Sequence, residues 1–277
     1  MRKSGMAEDA RGFGRHDHLC WSYTSGEEFT ARAREFLVEG LELGQRICFV
    51  GAENADPLRG VAAIEAALAS GAVQVIPQAR AYPNGEVVDP ADQVRTYATA
   101  TQEAIDAGYT GLRVAAEATP LVRTPEQLNA FLRYEHLIDR YMASHPFSAM
   151  CGYDSTALDD HAVARLTAAH PTANRPGQFR LHAPADGGCA AELSGELDLY
   201  GHDLLAALLE CIDPRPTDGE LVLHAPELDF IDHRGLMVLA AHAQRHDATL
   251  VLRTRWPGAA RVVSVLGLPH VRVEAIA

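Results

Sequence analysis

Leu19-Cys-Trp-Ser-Tyr23, Ser25-Gly-Glu-Glu-Phe29 and Arg46-Ile-Cys-Phe-Val50 decide the fold of the larger part of this chain. The first and third are short apolar runs of the length and make-up of buried strands. Between them Ser25 offers an N-cap hydroxyl, with Glu28 three residues on, the spacing of a capping box. Phe29, Phe36, Leu37, Gly40 and Leu41 then recur on one helical face, and Gly44 ends the helix. Strand, helix and strand in this succession form the unit from which parallel sheets are built.

The same alternation continues outward. A helix is expected from Pro57 to Ser70, closed by Gly71, followed by a strand Val73–Ile76. Asp89-Pro90 opens a helix ending near Gly108, and Leu112–Ala116 reads as a buried strand. A helix from Pro125 to Ser144 precedes a strand Phe147–Tyr153. The fold class implied is α/β: a mainly parallel sheet with helices on both faces, whose ligands sit at the carboxyl ends of the strands. The turn-rich run Pro171-Thr-Ala-Asn-Arg-Pro-Gly177 then separates a second region. That region reads strand (Phe179–Ala183), strand (Ala190–Leu197), helix (Tyr200–Ile212), strand (Glu220–His224), helix (Gly235–His246), strand (Thr249–Arg253), helix (Pro257–Leu266), strand (Val271–Glu274). The expected division is a loose tail over 1–15, a first domain over 16–171, a linker over 172–178 and a smaller α/β domain over 179–277.

Composition narrows the function. The chain has 277 residues, 47% of them hydrophobic, enough for two domains with real cores. A formal net charge of -13 argues against nucleic acid and against anionic membrane surfaces as partners. The five cysteines are scattered singly, which suits free thiols in a reducing cytoplasm. No apolar run reaches membrane-spanning length, and the polar start is unlike a signal peptide.

The segments His16-Asp-His-Leu-Cys-Trp-Ser-Tyr23, Gly111-Leu-Arg-Val-Ala-Ala-Glu117, Arg133-Tyr-Glu135, Met150-Cys-Gly-Tyr-Asp154 and His170-Pro171 resemble the MEDS domain, a sensory domain named for methanogens, methylotrophs and a dichloromethane-responsive regulator. The resemblance implies a RecA-like or KaiC-like fold stripped of nucleotide machinery. Tyr23-Thr-Ser-Gly-Glu-Glu-Phe29 agrees: it stands where a P-loop would lie, has no lysine, and carries two acids that repel a triphosphate. No cofactor is named, and a nucleotide is not expected.

His18, Cys20, Tyr23, Glu117, Tyr134, Glu135, Cys151, Tyr153 and His170 are the ligand-binding candidates, expected to converge where the strands end. Thiols, imidazoles and carboxylates suit a metal, a soft ligand or an oxidant, or form a small-molecule pocket. The plainer alternatives are cysteines buried as small hydrophobes and Glu117 paired to Arg113, Arg123 or Arg133. Spacing offers no local metal signature, so no metal site is assigned. His242 and His246, four apart on a helix, read as a solvent-facing pair.

Leu193-Ser-Gly-Glu-Leu-Asp198, Glu227-Leu-Asp-Phe-Ile-Asp-His-Arg-Gly-Leu-Met-Val-Leu239 and Val262-Val-Ser-Val-Leu-Gly-Leu268 are similar to STAS domains, the fold of bacterial anti-sigma factor antagonists. The middle segment reads as the end of a buried strand, a turn over 232–235 and a helix start. In that family a hydroxyl residue after the Asp takes a phosphate; here it is His233, so no kinase switch is expected at this position. Asp198, Asp232, His233, Arg234 and Gly235 are the partner-binding candidates. Together the resemblances imply a non-enzymatic bacterial signal-transduction and transcription regulator: a small-molecule or redox sensor joined to a module that docks an anti-sigma factor or related protein. The alternative is a metal- or thiol-dependent enzyme using Cys20, Cys151 and Glu117. Monomer and homodimer stay open.

Overall fold

Alternating β and α segments favour parallel pairing, and the first part of the chain follows that rule. A computed structural model of the protein describes residues 2–51, 56–82, 87–185 and 188–276. The chain divides into two units, one ending at Pro176 and one beginning at Gly177.

Among the described residues the first unit contains strands β1 (Gly5–Met6), β2 (His18–Tyr23), β3 (Arg46–Val50), β4 (Val73–Ile76), β5 (Leu112–Glu117), β6 (Phe147–Asp154) and β7 (Thr172–Ala173). They form one sheet in the order β1-β7-β2-β6-β5-β3-β4. Every pairing is parallel. The helices are α1 (Gly26–Glu42), α2 (Ala62–Ser70), α3 (Gln78–Ala81), α4 (Pro90–Asp106), α5 (Pro125–Ser144) and α6 (Asp160–Ala169).

Successive strand residues point to opposite faces, and this parity sorts the interior. Leu19, Trp21, Tyr23, Ile47, Phe49, Ala115 and Met150 form one core with Phe29, Ala33, Phe36 and Leu37 of α1. The alternate residues, His18 and Tyr153 among them, meet α5 on the other face. Gly152 belongs to the α1 face, and a Cβ there would lie 2.3 Å from the Phe29 ring. Only glycine lets that ring rest against the strand.

Three expectations about the first unit need correction. The helix expected from Pro57 starts only at Ala62, after one 3-10 turn over Asp56–Leu58 and Gly60, which takes a φ of 84°. The stretch expected as a loose tail is docked: β1 pairs with β7, and Phe13 joins the α1 core. The Arg113 guanidinium fastens it by donating to the Phe13 and Gly14 carbonyls. The expected linker contributes β7 to the sheet before the boundary at Pro176. Helix α6 was not anticipated; Asp159 caps it by accepting from the Ala162 amide at 2.7 Å.

The second unit holds β8 (Phe179–His182), β9 (Ala191–Leu197), β10 (Glu220–Ala225), β11 (Leu228–Ile231), β12 (Thr249–Thr254) and β13 (Val271–Ala275), with α7 (His202–Ile212), α8 (His233–Arg245) and α9 (Gly258–Leu266). The sheet runs β11-β9-β10-β12-β13, all parallel, with β8 antiparallel on β9. Leu193, Leu197, Leu221, Leu223, Leu236, Leu239, Leu250 and Leu252 are fully buried. β11 ends the sheet path, and its Asp229 and Phe230 are exposed, so Leu228–Ile231 is an edge strand rather than a buried one. α8 begins at His233 rather than after a turn through Gly235, because the Asp232 side chain accepts from the Gly235 amide at 2.8 Å.

Candidate functional site

His18 opens β2 and Cys151 lies within β6, on neighbouring parallel strands. Above them runs α5, started by a full capping box: the Thr124 hydroxyl accepts from the Gln127 amide, and the Gln127 side chain accepts from the Thr124 amide. Glu135 and Asp139 are four residues apart on that helix and therefore share its inner face. His170 is placed by Pro171. A residue before proline is steered out of the helical region, and His170 takes φ -105° and ψ 145° as the C-cap of α6. Its Nδ1 then turns back to the Leu166 carbonyl at 2.7 Å, satisfying one of the carbonyls a helix end leaves free.

These placements bring His18, Glu135, Cys151 and His170 together, with one ligating atom of each within 4.8 Å of all the others. The two imidazoles and the carboxylate are fully buried, and Cys151 is nearly so. His18 Nε2 stands 3.1 Å from Glu135 Oε2 and 3.6 Å from the Cys151 sulfur. His170 Nε2 stands 3.6 Å from the same carboxylate oxygen, and the two imidazole rings lie 4.3 Å apart.

The surroundings settle the tautomers. His18 Nδ1 is 3.0 Å from Asp139 Oδ1, which also pairs with the Arg2 guanidinium. A carboxylate paired to an arginine accepts, so His18 carries its proton on Nδ1. The Leu166 carbonyl likewise fixes the His170 proton on Nδ1. Both Nε2 lone pairs then face Glu135. Its Oε1 is served by the Tyr153 hydroxyl at 2.7 Å, while Oε2 and His170 Nε2 have no hydrogen-bond partner of ordinary geometry among the described residues. Besides Tyr153, the donor beside the carboxylate is the Cys151 thiol, a weak one.

Burial governs the protonation states. It pushes the Glu135 carboxyl up and, with Glu135 nearby, raises the Cys151 thiol well above its ordinary value. It lowers His18, with Arg2 adding to the effect, and brings His170 down to about 4. Neutral imidazoles are the favoured forms.

Not every candidate joins this group. Tyr153 does, through Glu135. Cys20 is the register partner of Cys151 and shares its face. Tyr134, one position round the helix, packs with Phe131 at 5.2 Å between centroids. Tyr23 and Glu117 belong to the opposite face: the Tyr23 hydroxyl donates to Glu117 at 2.8 Å, and Gln78 and the Thr119 amide complete that carboxylate's shell. Arg113 pairs with Glu39, not Glu117. The group lies under α5 within the sheet rather than at the strand ends. Asp139 and Arg2 were missed; the four-residue step from Glu135 to Asp139 was the available signal.

Two further features lie elsewhere in the chain. An open groove of about 270 Å³ along α1 is lined by Arg11, Arg34, Glu39 and Glu42. In the second unit Asp213, His242 and His246 also come within metal-ligating distance of one another. His242 is buried at 1% exposure, not solvent-facing, and Pro214 accepts from its Nε2. Arg215 and Arg245 crowd this group with positive charge.

The partner-binding candidates gather where β9 and β11 end side by side. The Asp232 amide donates to the Leu197 carbonyl, and Asp232 Oδ1 lies 2.7 Å from His202 Nε2. His233 and Arg234 are exposed on the first turn of α8, with Met237 one turn on at 53% exposure. Leu199 and Tyr200, exposed at 60% and 79%, follow Asp198, whose side chain accepts from the Tyr200 amide. Gly235 is buried against Ile231, so its place is in the packing rather than in a contact surface.

Residues 17–171 match the model of the MEDS family, the methanogen/methylotroph, DcmR sensory domain. No curated protein matches the chain. Among solved structures, the flagellar accessory protein FlaH from Methanocaldococcus jannaschii aligns at 10% identity over 65% of this chain and 79% of its own, with a TM-score of 0.39.

Proposed function

The chain belongs to the MEDS sensory-domain family, and on that premise we propose that it is a bacterial signalling regulator with two working parts. The first unit receives a chemical signal at the His18–Glu135–Cys151–His170 group. The second, a STAS-like module, passes it on by docking a regulatory protein of the anti-sigma type. The observation that carries this reading is the buried group itself. Burying two imidazoles, a thiol and a carboxylate costs stability unless each is partnered. Among the described residues Glu135 Oε2 and His170 Nε2 are not, which supports reading the group as one that takes something up.

The output surface is read from the exposed Leu199, Tyr200, His233, Arg234 and Met237. With His233 in place of a hydroxyl residue, occupancy of the first unit rather than phosphorylation sets the docking affinity. Such control extends only as far as the signal's differential affinity for two states of the protein. The enzyme reading has less support: Glu117 is on the wrong face of the sheet, and burial holds the Cys151 thiol in its unreactive protonated form.

The test is binding of the full chain to purified anti-sigma kinases by calorimetry, with Met237→Glu and Tyr200→Ala as surface variants. Saturable binding weakened at least tenfold by either variant is expected. Equal affinity for wild type and both variants, or no binding to any kinase, would sink the docking role.

A further inference from the structure

We propose that the buried group is a transition-metal site, with Zn²⁺ as its occupant and His18 Nε2, His170 Nε2, Cys151 Sγ and Glu135 Oε2 as its donors. This deepens the sensory reading above and rests on it only for the identity of the receiving site. Borderline-soft Zn²⁺ takes nitrogen, sulfur and carboxylate oxygen in tetrahedral sets, and this is such a set.

The geometry is close to what a tetrahedron needs. Bonds of about 2.0–2.3 Å imply donor–donor edges of roughly 3.4 Å between nitrogen and oxygen and 3.6 Å between nitrogen and sulfur. The spacings found are 3.1 and 3.6 Å for the two imidazoles to Glu135 Oε2, and 3.6 Å for His18 Nε2 to the Cys151 sulfur. Among the described residues Glu135 Oε2 and His170 Nε2 lack a hydrogen-bond partner, and both lie within 4.8 Å of His18 Nε2 and the Cys151 sulfur. A cation there satisfies the carboxylate oxygen and both imidazoles at once, whereas the single Cys151 thiol proton can serve one of them only, such as His18 Nε2.

The outer contacts are those that metal sites use to orient their ligands. His18 Nδ1 is held by Asp139, His170 Nδ1 by the Leu166 carbonyl, and Glu135 Oε1 by the Tyr153 hydroxyl. Charge also balances. Asp139 is already neutralised by Arg2, so a Cys151 thiolate and a Glu135 carboxylate match the two charges of the ion. With donors from β2, β6, α5 and the end of α6, the ion would tie together strands and helices distant in sequence. A full set of protein donors leaves no open position for a substrate, which suits metal sensing rather than hydrolysis. The Asp213–His242–His246 group has two arginines against it and no sulfur, and it serves as the internal control.

The full-length chain, stripped with chelator, is titrated with Co²⁺ and then Zn²⁺. Expected are one Co²⁺ per chain, the intense visible bands of tetrahedral cobalt, a thiolate-to-cobalt charge-transfer band, and displacement by one equivalent of Zn²⁺. Cys151→Ser should abolish the charge-transfer band, and His170→Gln should weaken binding at least tenfold. Cys20→Ser and His246→Gln should leave both unchanged. If a donor variant does not fold, the wild-type spectrum and the Cys20→Ser control decide. No saturable binding at one ion per chain, or a charge-transfer band lost in Cys20→Ser, overturns the site. A chain that binds no metal yet docks its partner overturns the metal site alone. A chain that binds metal with no effect on docking overturns the sensory coupling alone.

Discussion

Arg113→Met should loosen the first unit at its N-terminal segment. The guanidinium is fully buried and uses every donor it has: Nε to the Gln45 side chain, one terminal nitrogen to the Phe36 carbonyl and Glu39, the other to the Phe13 and Gly14 carbonyls. It also lies 4.4 Å above the Phe36 ring. In the methionine variant the Phe36 carbonyl keeps its helical position, but Phe13, Gly14 and Gln45 lose a charged donor. At about 1–1.5 kcal/mol each, this sums to about 3–4.5 kcal/mol, within the range of about 3–5 kcal/mol for breaking a buried ion pair. For a unit of this size the melting temperature should fall by about 6–20 °C. Arg113→Lys keeps the charge but not the fork, and should fall between. The effect should reach the candidate site, because the segment that Arg113 anchors also carries Arg2, which pairs with Asp139 behind His18. The assay is a thermal melt followed through buried Trp21, with limited trypsin digestion at the exposed Arg11 and Arg15. A variant melting within about 1 °C of wild type, with no faster cleavage, would show that Arg113 does not anchor the segment.

Three further outcomes follow from the same structure. Gly152→Ala places a methyl 2.3 Å from the Phe29 ring, an overpacking that should cost about 1–3 kcal/mol; an unchanged melting temperature would count against that contact. Asp232 bears on pH. Burial raises its carboxyl, but the Gly235 amide and His202 outweigh this and hold it below the ordinary value of 3.8. A depressed carboxylate stabilises the folded form above its unfolded pKa and loses that contribution as pH falls through the folded one. The second unit should therefore weaken below about pH 4, and Asp232→Asn should flatten that dependence in acid-unfolding curves; parallel curves for both proteins would contradict it. Asp139→Asn should reduce Co²⁺ affinity about 10–100-fold while leaving the thiolate band in place, the mark of an orienting residue rather than a donor; unaltered affinity would remove Asp139 from that role.

Much of the fold was legible because its signals are local. Helix α5 runs from Pro125 to Ser144, as read from proline at its start and the apolar period that follows. α6 was missed for a physical reason: Val163, Leu166, Thr167, Ala168 and Ala169 are buried on several sides, and a helix covered nearly all round has no apolar stripe against a polar one. β1 is too short to show any period, and its partner β7 lay in a run of turn-forming residues.

The site was half legible, and parity explains the divide. His18 and Cys20 are two apart and share a face, whereas Tyr23 is an odd number of positions away and must point to the other. Glu117 pairs in register with Gly152, which stands between Cys151 and Tyr153; it is therefore excluded from the face both occupy. The parity within β2 can be counted from sequence, but the register between β5 and β6 cannot. Gathering residues at strand ends ignores the face on which each side chain emerges. Applied to the helix, the same counting picks out Asp139, four after Glu135. The sheet thus separates two polar centres: the Tyr23–Glu117–Gln78 set beside α1, whose carboxylate is fully hydrogen-bonded, and the His18–Glu135–Cys151–His170 set beneath α5, where Glu135 Oε2 and His170 Nε2 lack a partner among the described residues. A ligand gains most where polar groups lack partners before it arrives, which is why the proposed receiving site is the one beneath α5.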